Sequence, residues 1–407
     1  MYPIPSLLRR VFKAFEYPEF RIMWIGACLS TIGTWMQTQA QSWLVLEISK
    51  NPFYLGLDAF LGQIPIFLFT LVGGVVADRV DRRHVLLGSQ IVQMTCAVTL
   101  ATLFLFDMVK IYHILTLSFI VGTAQAFGGP AYQALIPTLV KKEDMPNAIA
   151  LNSIQFNLAR MIGPALGLIA MTKFGAAWCF YINGFSYLAV IFTLLVVKTT
   201  FTPKASKSSV RESMAQGFAF IKEQPALKSL IVIAFLMTML GVPLMTFLPV
   251  FARDVFHREV GGYTLLLEVA GGGAIVGAMA VAGFHQGRQK GRLALINLAL
   301  LGATIVAFAM SSNFLLSCVI LFIGSATLIS VFALIASLVQ EMLAEDMRGR
   351  VMSIYNMAFR GGMPFGSLIS GKFVEGLGAP LVVACNGVLL SVLGLYYLVS
   401  RKKVASL

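Results

Sequence analysis

Apolar windows of roughly 20 residues, the length needed to cross a hydrocarbon core, recur along this whole chain. About twelve begin near Phe20, Phe53, His84, Ile111, Pro146, Ala177, Leu227, Gly262, Arg292, Asn313, Arg350 and Ala379. A core shielded from water cannot absorb so much apolar surface: 58% of the 407 residues are hydrophobic and 12% are charged, whereas soluble domains run at about 45–50% apolar. In lipid each segment must satisfy its own backbone polar groups, which helices do. The expected class is an all-α membrane protein with twelve transmembrane helices.

Charge orients those spans. Of the 31 Lys and Arg residues, 23 fall in the leader, the tail and the loops on the N-terminal side. Six (Lys50, Lys110, Lys173, Arg253, Arg258 and Lys372) fall in the opposite loops, and Arg160 and Arg360 lie within spans. This positive-inside asymmetry places both termini in the cytoplasm. It also accounts for the net charge of +13 without nucleic acid as a partner; the lipid bilayer is the partner. No removable signal peptide is expected before the first span. Instead "SLLRRVFKAF" sets Leu7, Leu8, Val11, Phe12 and Phe15 opposite Arg9, Arg10 and Lys13, which fits either a helix on an anionic membrane surface or an ordinary basic leader. The cysteines (Cys28, Cys96, Cys179, Cys318 and Cys385) are scattered through apolar spans with no metal-ligand or disulfide pattern, and read as small packing residues.

The longest polar stretch, residues 198–228, divides the spans six and six. Its start is rich in Ser, Thr and Lys, while Met214, Phe218 and Ile221 at helical spacing predict an amphipathic surface helix farther on. The expected organisation is a six-helix bundle over 1–199, a linker over 200–226 and a second bundle over 227–407. The halves repeat. "SIQFNLARMIGP" (153–164) and "SIYNMAFRGGMP" (353–364) share Ser-Ile, Arg and Pro at one offset, and each follows an "EDM". Gly74, Arg79 and Arg83 likewise reappear as Gly283, Arg288 and Arg292. Such duplication is a hallmark of transporters.

Charge is densest in "LVGGVVADRVDRRH" (71–84). Gly73 and Gly74 would let a neighbouring helix approach closely. Asp78 then lies at membrane depth and needs a helix N-terminus or an arginine to face, while Arg79, Arg82 and Arg83 need carboxylates or lipid phosphates. The run Gly74-x-x-x-Asp78-Arg79-x-x-Arg82-Arg83 resembles the signature loop between the second and third helices of the major facilitator superfamily. Asp81 stands where a second glycine is common, so a looser turn is expected. The phrases "PNAIALNSIQFNLARMIGPALG" and "RGRVMSIYNMAFRGGMPFGS" are similar to the bacterial drug- and siderophore-exporter branch, which includes enterobactin and macrolide exporters. The resemblance implies two pseudo-symmetric six-helix bundles around a central cavity in the bacterial cytoplasmic membrane. It further implies a cytoplasmic gate formed by Gly74, Asp78, Arg79, Arg82 and Arg83. Asp78 would face the N-terminus of the eleventh helix, where Arg348 and Arg350 are candidate partners.

Arg160 and Arg360 fall about halfway along the fifth and eleventh spans. Ionisable groups at that depth line a cavity, pair with one another or bond backbone carbonyls. Asp58 and Glu268 occupy near-equivalent places in the second and eighth spans. The expectation is that Asp58 approaches Arg360 and Glu268 approaches Arg160, making proton-coupling pairs whose carboxyl affinity switches with conformation. The alternative is that both acids stay hydrated near the outer headgroups; Glu47, at the outer end of the first span, is a third candidate and reads better as interfacial. On that first span Thr34, Gln37, Thr38 and Gln41 share a face, with Trp35 beside it. They line a cavity or bond neighbouring helices. Met237, Met239, Met245 and Phe247 offer adaptable apolar contacts, and Asn356 lies one turn before Arg360. Together these residues describe a cavity for bulky, partly apolar molecules, anions included.

No GxxxxGK[ST], Ser/His/Asp set, HExxH or Cys pair occurs, and the four histidines are scattered. An enzyme, a cofactor and a metal are therefore not expected. The expected function is a monomeric secondary active transporter that exports a small amphiphile by alternating access in exchange for protons. The alternatives are transport of an endogenous metabolite or lysolipid without proton coupling, and a transporter-like sensor.

Overall fold

The computed structural model describes residues 12–197, 210–283, 289–400 and 404, except for the side chains of Ala77, Asp78, Val210, Arg211, Ser213 and Asp346. The described residues form helices and no strand. The long helices are α1 (Pro18–Ser49), α2 (Phe53–Arg79), α3 (Arg82–Leu105), α4 (Ile111–Leu135), α5 (Met145–Phe174) and α6 (Ala177–Val196). They continue as α7 (Val210–Glu223), α8 (Pro225–Thr246), α9 (Val260–Gly283), α10 (Lys290–Met310), α11 (Phe314–Glu341), α12 (Glu345–Leu377) and α13 (Ala379–Ser400). Ten of these are long and apolar enough to cross a membrane. The first and eleventh spans, α1 and α12, are 32 and 33 residues long, but they interleave amides, hydroxyls, glycines and arginines with their apolar residues. With them the chain has its twelve transmembrane helices, and α7 is the amphipathic linker helix.

The chain packs as two compact units, one from segments within Met1–Leu44 and Leu68–Ala205, the other from segments within Val45–Phe67 and Ser206–Leu407. Helix α2 therefore supplies residues to both, and Pro65 lies inside it near the division.

In the first unit α1 and α5 cross at Gly163, where a Cβ would lie 2.5 Å from Trp35 Cβ and 3.0 Å from the Ile32 carbonyl oxygen. The Gln155 amide bonds the Ala27 carbonyl across the same seam at 3.1 Å. Of the leader, Leu7, Leu8, Arg9, Arg10 and Val11 lie outside the described residues. Its end forms a 3-10 turn, Lys13–Glu16, that docks onto the start of α5. Asp144 is the anchor, buried, with the Lys13 ammonium at 2.7 Å and the Tyr17 hydroxyl donating at 2.8 Å. The Ala14 N–H donates to Asn147 Oδ1 at 2.8 Å, and the Trp24 indole donates to the Leu151 carbonyl at 2.9 Å. Ala14 is fully buried and Phe15 packs edge-on against Trp24, with ring centroids 5.0 Å apart. Lys13 thus pairs with protein, and its pKa is raised, chiefly by the hydrogen bond it donates to Asp144.

In the second unit α8 and α12 meet at Gly362 and Gly366, a small-xxx-small pair of the kind that lets membrane helices touch backbone to backbone. A Cβ on Gly366 would lie 2.7 Å from the Met239 carbonyl carbon and 2.8 Å from its Cα. The N-terminal part of α2 packs on α12 in the same way, with a Cβ on Gly56 placed 3.1 Å from Gly371 Cα. Asn51 donates to Glu375 at 2.8 Å beside that contact. Helix α7 rests on the start of α12 through Gly217, whose Cβ would meet Ile354 Cδ1 at 2.7 Å. Ile221 is buried as its amphipathic spacing predicts, whereas Phe218 points outward.

Helix α8 ends where Pro243 and Pro249 interrupt the backbone ladder, giving a short helical segment Leu248–Val250 and a π turn Phe251–Val255. Phe251 and Phe256 of that turn pack on Phe308, at 5.0 and 6.0 Å between centroids.

Candidate functional site

The charged turn after α2 is built by Asp81, which caps α3. Its carboxylate accepts from the Arg83 N–H at 2.9 Å, satisfying one of the orphan donors of a helix start. Where glycine is common, this chain has a helix cap. Nor do Arg82 and Arg83 simply await carboxylates or lipid phosphates. Arg82 Nη1 donates to the Ala134 carbonyl at 2.8 Å, at the end of α4. Arg83 Nε donates to the Leu194 carbonyl at 3.0 Å, at the end of α6, with its Nη2 on the same oxygen. Helix C-termini carry unpaired carbonyls and the negative end of the dipole, so they attract guanidinium groups. The turn thereby ties α3, α4 and α6 into one end of the first unit.

Gly73 makes the close approach expected here, since a Cβ there would lie 3.0 Å from the Ala126 carbonyl carbon in α4. Gly74 does not; a Cβ on it meets nothing within 4 Å. Arg79 is exposed at the end of α2. The side chain of Asp78 lies outside the described residues. In the second unit Arg348 is exposed, and the half-buried Arg350 donates to Met347 Sδ at 3.5 Å.

Arg160 is half-buried at the middle of α5, its guanidinium carbon 5.6 Å from the centre of the Trp35 ring. Phe156, one turn earlier and half-exposed, meets the same ring edge-on at 5.9 Å. Among the described residues no hydrogen-bond acceptor or carboxylate pairs with Arg160. Arg360, in α12, is exposed, and none of the ion pairs at Asp81, Asp144, Asp254, Glu341 and Glu375 involves it. Pro164 and Pro364 each follow four residues after an arginine. A proline has no N–H, so neither arginine's own carbonyl receives the usual helix bond. Both sites are thus polar in side chain and backbone. Asp58 and Glu268 are half-buried.

The polar face of α1 is spent partly on packing. Gln37 accepts from the Asn183 amide at 2.6 Å, and Gln41 donates to Ser118 Oγ at 2.9 Å. Thr34 and Thr38 bond carbonyls of their own helix one turn back. Asn183 belongs to a network within the first unit that sequence reading missed: Tyr187 donates to Gln93 Oε1 at 3.4 Å, and Gln125 donates to the same oxygen at 3.2 Å. Its members are neutral and lie on helices far apart in sequence, so no local spacing announces it. In the second unit Met245 and Met239 are half-buried and Asn356 is exposed. Phe247 and Met237 are buried, 0% and 1% exposed, so neither lines a cavity here. Among the described residues no group of three or more His, Cys, Asp or Glu side chains could hold a metal ion.

Comparison with known proteins gives this arrangement its context. The family model for transmembrane secretion effectors matches residues 10–406. The staphyloferrin A transporter of Staphylococcus aureus (strain NCTC 8325 / PS 47) is 23% identical over 380 residues, covering 91% of this chain and 94% of that protein. Macrolide efflux protein A of Streptococcus pyogenes is 20% identical over 371 residues, covering 88% and 90%. Among solved structures, a bacterial homolog of the human lysosomal transporter Spinster shares the fold with a TM-score of 0.73 at 14% identity, covering 95% and 97%. With one family model spanning nearly its whole length, the chain belongs to the transmembrane secretion effector family of the major facilitator superfamily, and it is a membrane transporter.

Proposed function

We propose that this transporter exports small amphiphilic compounds, drugs or siderophore-like molecules, across a bacterial cytoplasmic membrane by alternating access coupled to proton antiport. The observation that carries the reading is the placement of Arg160 and Arg360 at span depth without an ionic partner among the described residues. A guanidinium in hydrocarbon costs at least about 2.5–3.5 kcal/mol, so such groups face a water-filled path or a ligand. The names of the two relatives, a transporter of staphyloferrin A and a macrolide efflux protein, support export of bulky small molecules. The charge asymmetry supports cytoplasmic termini and a cytoplasmic gate at Gly74, Asp78, Arg79, Arg82 and Arg83, with Arg348 and Arg350 opposite. Trp35, Gln37, Gln41, Met245 and Asn356 flank the path in this reading. The halves 1–199 and 227–407 move as a monomer's two bundles around the 200–226 linker.

Asp58 and Glu268, half-buried carboxyls within spans, are the proton-coupling groups. Inside-out vesicles test this: an imposed proton gradient, acid inside, is expected to drive uptake of an amphiphilic dye. Asp58→Asn with Glu268→Gln is expected to abolish that drive while counterflow without a gradient persists. Full gradient-driven uptake by the double variant would remove both acids from coupling. Asp78→Asn is expected to slow transport more than it lowers expression.

A further inference from the structure

Arg160 raises a question that export alone does not answer, namely what satisfies its charge. It stands at the sixteenth of the 30 positions of α5, so it lies about 20 Å from either helix end at 1.5 Å per residue. An arginine side chain cannot snorkel that far, and a lipid headgroup cannot reach it. Trp35 covers the guanidinium from one side, and cation–π contact of that kind compensates only part of the lost hydration. The five N–H donors lie in the plane of the group, and among the described residues no acceptor takes any of them. Beside them Phe156 presents half of its surface, held edge-on to Trp35. The α1–α5 seam holds this trio: Gly163 leaves room for the Trp35 Cβ against α5, and Gln155, five residues before Arg160, bonds the Ala27 carbonyl across the seam. Rigid placement of this kind distinguishes a recognition site from a stray charge.

We infer that Arg160, Trp35 and Phe156 form the subsite that selects amphiphilic anions, receiving a planar oxyanion on the guanidinium edge and an aromatic or apolar body against the two rings. Carboxylate is the best match, because a guanidinium fork pairs with it through two parallel hydrogen bonds. The subsite rests on the exporter reading and narrows its substrate class to anions.

Three fluorophores sharing the dansyl group test it: dansylglycine carries a carboxylate, dansylamide is neutral and dansylcadaverine carries an amine. Transport of each is measured in energised inside-out vesicles holding the full chain. The wild type is expected to favour dansylglycine over dansylamide by about tenfold, equivalent to about 1.4 kcal/mol. Arg160→Gln is expected to collapse that ratio towards one, and Arg160→Lys to recover part of it, since lysine keeps the charge but loses the fork. A purely structural arginine would instead lower all three rates together and leave the ratio intact, which overturns the inference. A melting curve of each purified variant separates misfolding from lost selection, and Arg160→Lys carries the test if Arg160→Gln does not fold. A wild type that moves dansylcadaverine or dansylamide but not dansylglycine overturns the anion subsite and leaves the exporter standing. One that moves none of the three overturns both.

Discussion

Replacing Gly366 by alanine isolates the contact that seats α12, the helix bearing Arg360. The added Cβ would lie 2.7 Å from the Met239 carbonyl carbon and 2.8 Å from Met239 Cα. Ordinary carbon–carbon contact needs about 3.5–4.0 Å, so α8 and α12 must separate locally by about 1 Å. Backbone, not a flexible side-chain end, is what the methyl meets. Relief therefore comes only from moving a helix, and overpacking of this sort costs about 1–3 kcal/mol. Gly376, in the last turn of the same helix, is the internal control. A Cβ there meets nothing within 4 Å, and alanine in a helix is about 0.5–1 kcal/mol better than glycine. The two substitutions add the same methyl to the same helix and should act with opposite sign. Thermal unfolding in detergent reads the difference: at roughly 2–4 °C per kcal/mol, Gly366→Ala should lower the midpoint by roughly 2–12 °C. Gly376→Ala should hold or slightly raise it. A Gly366→Ala protein that melts with or above the wild type refutes the argument that backbone contact, rather than side-chain interdigitation, holds this pair.

Other perturbations probe the first unit. Asp81→Ala removes the cap of α3 and should destabilise by about 0.5–2 kcal/mol, with Asp81→Asn or Ser keeping most of it, read as melting midpoints. Arg83→Met strips the Leu194 carbonyl of its charged donor and should cost about 1–3 kcal/mol; an unchanged midpoint would show that water replaces the guanidinium there. The Lys13–Asp144 pair has a definite pH signature. Because Lys13 has its pKa raised by folding, its contribution is complete below the ordinary lysine range and disappears as pH rises through the raised value. The gap in melting midpoint between wild type and Lys13→Met should therefore persist at neutral pH and close in strong alkali; a gap that grows with alkali contradicts the pairing.

The spans, the amphipathic helix α7 and the two midspan arginines were legible because hydropathy and helical spacing are local signals. The cap at Asp81 was equally local, an aspartate immediately before a helix, but the loop pattern marks that position only as a departure from glycine. The partners of Arg82 and Arg83 were not legible. Backbone carbonyls at Ala134 and Leu194 have no side-chain identity, so nothing in their sequence marks them as acceptors. Phe247 shows a second limit. In a chain whose helices are apolar on every face, spacing cannot separate residues facing lipid, a cavity or another helix. Phe247 is buried at the end of a helix that gives way to a short segment and a π turn, which the apolar pattern alone does not foretell.

The internal repeat preserves backbone breaks more faithfully than it preserves partners. Pro164 and Pro364 interrupt the two arginine-bearing helices at matching places, and Gly175 and Gly378 end those helices with φ of 92° and 80°. Only glycine adopts such angles without strain. The helix-crossing glycines, by contrast, have slipped: Gly163 and Gly167 flank Pro164 from one position before to three after, while Gly362 and Gly366 flank Pro364 from two before to two after. A shift of one residue turns a helix face by about 100°, so the two arginines, aligned in sequence, meet different surroundings. Arg160 is left under a tryptophan and Arg360 is left exposed. Moving the first of these glycines to the position it holds in the other half, with Gly362→Met and Met363→Gly together, should therefore alter the environment of Arg360 more than any single change to its own side chain's neighbours. Unchanged transport selectivity and stability in that double variant would show that the register does not govern the difference.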